Sequence, residues 1–242
     1  MPGSGDIASR LDAVLKVIYL VFNEGYVATS GPSLVRTDLC VEAIRLGRLV
    51  LALMAPQPPP EAKSLVALML LHDARRDARL DDQGEIVILE EQDRSRWNRE
   101  QIQEALLLLK NHQSEAAGAF ALQAAIVAEH CKAERPADTD WTEIVRLYSQ
   151  LEQVQQSPIV FLNRAVATAM AEGPRAGLVM IESLAASNDL NSYHLLHAAR
   201  ADLLRRLGSN AEAAKNYERA LTLVTNESER RFLERRLREV QP

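Results

Sequence analysis

The chain of 242 residues is short of cysteine, of long apolar runs and of any basic excess, and each shortage removes a class of protein. Its two cysteines, Cys40 and Cys131, both fall on apolar helical patterns. That excludes a disulfide framework and predicts buried, inert thiols. The longest uninterrupted apolar runs, Leu65 to Leu71 among them, are too short for a transmembrane helix. The N-terminus also lacks the basic, apolar, small-residue order of a signal peptide, so a cytoplasmic protein without membrane contact is expected. Lys plus Arg number 28 against 33 Asp plus Glu, for a net charge of −5, and no direct DNA binding is expected of such a surface. No Gly-rich phosphate loop, GxSxG elbow, HExxH or paired CxxC occurs, so no cofactor is expected.

What remains is helix. With 47% apolar residues the chain has ample material for a core. Val14, Val17, Ile18, Val21 and Phe22 recur at helical spacing and predict a first helix that ends between Gly25 and Gly31. A second helix is predicted from Val35 to Met54, stopped by the run Pro56-Gln57-Pro58-Pro59-Pro60, whose last proline suits the first turn of a third helix through Leu71. The β-branched run Ile86-Val87-Ile88, beside Asp82-Gln83-Gly84, predicts one small β-hairpin near 78–90. Asn98 and Gln101 have capping-box spacing and open a helix to about His112, and a further helix covers Gly118 to Lys132.

Beyond Pro136 the helices become regular: Asp140 and Glu143 cap one to Val154, Pro158 opens one to Met170, Pro174 opens the next, and Leu190 to Leu207 forms another. Ala201, Leu204, Gly208, Ala213, Tyr217 and Ala220 match the small, large, small spacing by which the two helices of a tetratricopeptide repeat interlock, with Ser209 and Glu212 capping the second helix. Val166, Gly173, Leu178 and Ile181 form a weaker copy. The charged helix from Glu227 to Glu239 reads as a solvated cap. The expected fold is all-α with one small hairpin: residues 1–136 a helical domain, residues 137–242 a TPR-like helical repeat domain.

The segment from His72 to Trp97 concentrates charge around the expected turn and is the first place to look for function. His72, Asp73, Arg75, Arg76, Asp93, Arg94 and Arg96 offer polar contacts there, and Trp97 an aromatic anchor; the plainer reading makes them ion pairs and core that fix the hairpin to its helices. Asn23, Glu24 and Tyr26 present a polar surface at the end of the first helix, where the plainer reading is a terminus closed by Gly25. Asn163 and Arg164 face a repeat groove or simply solvent, and His194 and His197, three apart, share a helix face. No carboxylate or cysteine at zinc spacing accompanies those histidines, so no metal is expected.

The ordered motifs RLDAVLKVIYLVFNEGY, LVRTDLCVEAIRLGRLV, LMLLHDARRDAR, EEQDRSRW, DTDWTEIVRLY, SPIVFLNRAVA and YHLLHAARADLLRRLG carry a resemblance over nearly the whole chain, from Arg10 onward. The chain resembles the C-terminal, TPR-bearing extension of long extracytoplasmic-function (ECF) RNA polymerase sigma factors. The promoter-reading sigma regions of such proteins have no counterpart in this sequence. The resemblance implies a regulatory domain without catalytic motifs, whose partners are sigma regions 2 and 4 of a parent protein, RNA polymerase, or a peptide or protein held in the repeat groove. The residues named above are carried over as candidate contacts only. Two other readings stand beside it: a free-standing TPR adaptor, and an enzyme built around His72, Asp73, Asp93 and Arg94, for which the sequence supplies residue types and no geometry.

Overall fold

The structure, a computed structural model, describes residues 4–29, 34–110, 117–187 and 189–241, the side chains of 4–9 excepted. The expected boundaries at Gly31 and His112 lie outside the described residues. The fold is all-α. Its helices are α1 (Ser4–Tyr26), α2 (Thr37–Leu53), α3 (Pro60–Asp73), α4 (Arg99–Leu109), α5 (Ala119–Lys132), α6 (Trp141–Val154), α7 (Pro158–Glu172), α8 (Pro174–Ala186), α9 (His194–Arg206), α10 (Asn210–Leu223) and α11 (Glu227–Val240). Among the described residues none is long and apolar enough to cross a membrane. The expected hairpin is a tight turn closed by one antiparallel bridge between Leu80 and Ile86. Asp81 organises it, its carboxylate accepting from the amides of Gln83 and Glu85.

Proline stands in the first turn of α3, α7 and α8, where its missing N–H costs nothing. Side chains of Asn98, Asp140, Ser157 and Asn226 accept the free amides that open α4, α6, α7 and α11. Three expected details change. Gln101 does not complete a capping box but donates to Asp73 Oδ2 at 2.9 Å, which ties α4 to α3. Ser209 makes no side-chain cap. Helix α9 begins at His194 rather than Leu190, because Tyr193 donates its amide to Leu190 and closes a turn there.

Helix α3 is the axis of the first half. Ten of its residues are buried, Leu65 to Leu71 without interruption. A helix apolar on every face must be enclosed, and α1, α2, α4 and α5 all pack on α3. On α1 the buried face is Leu15, Ile18 and Phe22, so Val14 and Val17 sit on its flank, 45% and 59% exposed. Gly25 lies in the last turn of α1 against Cys40; an added Cβ would stand 2.7 Å from the Cys40 nitrogen, so it permits a close helix crossing rather than a left-handed terminus. Both cysteines are buried and free, and burial pushes the Cys40 thiol up to about 11.

Successive cores then overlap. Helix α5 gives Phe120, Ala124 and Val127 to the core around α3, and Leu122 and Ile126 to a second cluster with Ile144, Leu147 and Leu151 of α6 and Val160 of α7. That second cluster runs across residue 136. Helices α7, α8 and α9 share a third through Leu162, Ala165, Ile181 and Leu196, and α9, α10 and α11 a fourth through Ala201, Leu204, Ala213, Tyr217, Ala220 and Leu233. Helices α5, α7 and α9 thus each serve two neighbouring cores, as in a stack of helix pairs. The repeat spacing at Ala201 to Ala220 packs as expected, with Gly208 at φ +78° in its turn. In the weaker copy Val166 points outward, 37% exposed. Close contact is made instead by Ala165 and Ala169, against which Gly177 presses so tightly that a Cβ would meet both within 2.5 Å.

The last helix does more than cap the stack. Asn226 donates to the Ala28 carbonyl at 3.1 Å and Thr225 to that of Thr29 at 2.9 Å. Arg231 pairs with Glu85 at 2.6 Å, and Arg235 donates to the Ile86 carbonyl at 3.1 Å. Helix α11 therefore touches both the end of α1 and the turn after α3.

Candidate functional site

Most of the charged residues expected to carry function meet where α1, α3 and the segment 93–97 converge. Tyr26 and His72 are partly exposed, their ring centroids 4.7 Å apart. Arg75 is buried over the Trp97 ring and donates one nitrogen to both Tyr26 Oη and His72 Nδ1, each at 3.1 Å. Burial, reinforced by Arg75 and Arg79, holds the His72 imidazole well below its usual range, so it faces Arg75 as a neutral acceptor. Arg79, which the sequence did not mark, lies flat on Tyr26 with its guanidinium carbon 3.6 Å from the ring centroid and donates to the Tyr26 carbonyl. Its charge gains from the aromatic face.

Arg94 has another task. It spans the C-terminal end of α5, donating to the carbonyls of His130 at 2.8 Å and Ala133 at 2.5 Å, and stacks 4.7 Å from the Trp97 centroid. A cation at a helix C-terminus is favourable, and here it also satisfies carbonyls the helix leaves free. Trp97 is 2% exposed, so it is core and holds the two arginines instead of reaching a partner. His130 packs edge-on against Trp141, and burial with the nearby Arg75 and Arg94 charges lowers it to about 3.

The remaining candidates disperse. Asp73 is bound by Arg76 and Gln101 and lines a small hollow of about 350 Å³ with Val41, Ile44, Arg45 and Arg48. Asp93 caps its own turn by accepting from Ser95, which holds its carboxyl below the usual range, while Arg96 is exposed. His72 and Asp93 therefore have separate polar partners, and no acid–base pair forms between them. Glu24 folds back on Thr29, closing the turn after α1, and Asn23 serves Tyr19 on the same helix. Arg164 pairs with Glu152 of α6 at 2.8 Å, whereas Asn163 is exposed. His194 lies 3.3 Å from Glu229 and His197 3.0 Å from the Asn191 carbonyl, so the two histidines diverge. Among the described residues no group of three or more metal-ligating side chains assembles.

A second feature escaped the charged-residue reading. Helix α4 packs on α3 and stands off from α5, which opens a groove of about 980 Å³ between α4, α5 and α6. Its floor is Ala121, Leu122, Ala125 and Ala128; Leu106, Leu107 and Leu147 form the walls. Leu107 is 68% exposed. The rim carries the pairs Lys132–Glu129 and Arg146–Glu143, with Lys110 at one end. The signal was in the run Leu106 to Leu109: four consecutive leucines cover every face of a helix, so one of them must point away from the core.

The fold and its surfaces define an all-α protein of overlapping helix pairs with a polar node and an apolar groove. Residues 10–113 match the model of a family of unknown function, DUF6596. Over 237 residues, 98% of this chain, the sequence is 48% identical to an uncharacterized protein of Rhizobium meliloti (strain 1021). The chain spans 55% of the length of that relative. No solved structure matches the chain.

Proposed function

We propose that this chain is the regulatory, protein-interaction extension of an ECF-type RNA polymerase sigma factor, acting by contact with sigma regions 2 and 4 or with the polymerase. The observation that carries this reading is the groove between α4, α5 and α6. A floor of alanines between leucine walls suits the apolar stripe of an amphipathic helix, and a rim of both charges suits its polar edge. The resemblance of the ordered motifs supports the sigma-factor assignment, and the length of the Rhizobium relative leaves space for further regions beside one of this kind.

The test is transcription from a cognate promoter by the parent protein, by a form lacking this region, and by Leu107→Glu in the parent. Leu107 is exposed, so the substitution should leave the fold intact while placing a charge in the groove. We expect Leu107→Glu to reproduce the effect of deletion, with loss of a central apolar contact weakening the interaction about tenfold. Equal transcription by all three forms would sink the regulatory reading and favour the second one, a TPR adaptor whose groove holds a partner outside transcription.

A further inference from the structure

Two guanidinium groups in the polar node are buried with no carboxylate in contact among the described residues. Arg75 is 7% exposed and Arg79 9% exposed, and among the described residues neither forms an ion pair. Asp73, the last residue of α3 and two positions before Arg75, is committed to Arg76 and Gln101. Buried Arg94 binds two carbonyls at the end of α5, whereas Arg79 binds one carbonyl and Arg75 none. Arg75 uses one nitrogen on Tyr26 and His72, and its Nε is buried with no acceptor. Arg79 uses one nitrogen on the Tyr26 carbonyl. A guanidinium has five donors, and of these two side chains the Arg75 Nε is left buried with its hydrogen unspent.

Among the described residues the two guanidiniums meet aromatic faces and neutral acceptors rather than a carboxylate in contact. Tyr26, His72 and Trp97 are uncharged neighbours, and a buried charge is retained at a cost unless a partner offsets it. From the other half of the molecule Glu229 of α11 brings the carboxylate whose field reaches Arg79, yet that group sits against His194. Tyr26 is partly exposed, so the node meets solvent along its Tyr26 edge.

We propose that Arg75 and Arg79, with the Tyr26 hydroxyl beside them, form a binding site for an oxyanion, either a carboxylate or a phosphate group. Paired guanidinium donors match the oxygens of both groups, and charge-assisted bonds there supply the anionic contact that the described residues do not. Glu229 is the internal competitor that sets how tightly the anion is held.

The site is tested in the full chain by following the arginine Nε–Hε resonances while inorganic phosphate or acetate is added at fixed ionic strength, with chloride as the control. The Arg75 signal should move saturably with at least one of the two oxyanions, and the anion that moves it names the ligand class. Arg79→Gln should weaken that response about tenfold, and Glu229→Gln should strengthen it. Arg219→Gln, on the exposed side of α10, should leave it unchanged. Movement that chloride reproduces, or a response indifferent to both Arg79→Gln and Glu229→Gln, would overturn the proposal. Because the wild-type titration and Glu229→Gln leave both arginines in place, a failure of Arg79→Gln to fold would not rescue it.

Discussion

Helices α3 and α10 are of equal length, 14 residues each, and are held in opposite ways. Ten residues of α3 are buried, on every face; α10 buries only Ala213, Tyr217 and Ala220, one stripe. The first half is therefore a bundle wrapped on an axis, in which each helix answers to a common core. The second half is a relay, in which each pair answers to its neighbours. Loss of packing should spread in the first half and stay local in the second.

The sharpest way to break that contrast is Leu68→Ala against Val240→Ala. Leu68 is 1% exposed at the centre of the bundle, and its truncation should cost about 2–5 kcal/mol in urea unfolding. Val240 closes the far end of the stack at 5% exposure, and its truncation should cost about 1–2 kcal/mol. Equal losses would mean that the chain unfolds as one core.

Acid should also act on the first half. His130, lowered to about 3 from an ordinary value of 6.5, binds a proton in the unfolded chain before it does in the folded one. Its contribution to stability is complete above about 6.5 and is lost as the pH falls toward about 3. His72 is shifted in the same direction by the same cause, burial. Denaturant midpoints should therefore fall across this window, and His130→Gln should flatten the slope; an unchanged slope would place the acid sensitivity elsewhere.

The smallest effect joins the halves. Replacing Arg231 and Arg235 by alanine removes the contacts of α11 with Glu85, Gly84 and Ile86, at a cost of about 1 kcal/mol or less because these groups are part-exposed. The informative readout is cooperativity: the double variant should show the stack loosening ahead of the bundle in hydrogen exchange, while the parent protects both together.

The sequence made the helices legible because proline, capping residues and apolar spacing act within a few positions of where they stand. Pro60, Pro158 and Pro174 each begin a helix as their chemistry requires. The Ala201–Ala220 unit was legible for the same reason, since its contacts are between neighbours. The site was less so. His72 meets Arg75, and Asp73 meets Arg76, one turn apart, but Tyr26 of α1 and Arg79 join them from distant positions, and no local spacing encodes that meeting. Asp93 looked like a partner for His72 and instead finds Ser95 two residues away. Val14 and Val17 were read into the α1 core because a five-residue stripe fixes a helix's phase only to within a residue. Charge misled at α11, where arginines that resemble a solvated surface reach the turn at Gly84, Glu85 and Ile86.

That last contact fixes something about how such a protein can change over time. Stacks of helix pairs ordinarily tolerate gain or loss of a unit, because each pair meets only its neighbours. Here α11 must arrive at Ala28, Thr29 and Glu85. Inserting or deleting one pair would carry it past those groups or leave it short, so the seam holds only for this number of pairs.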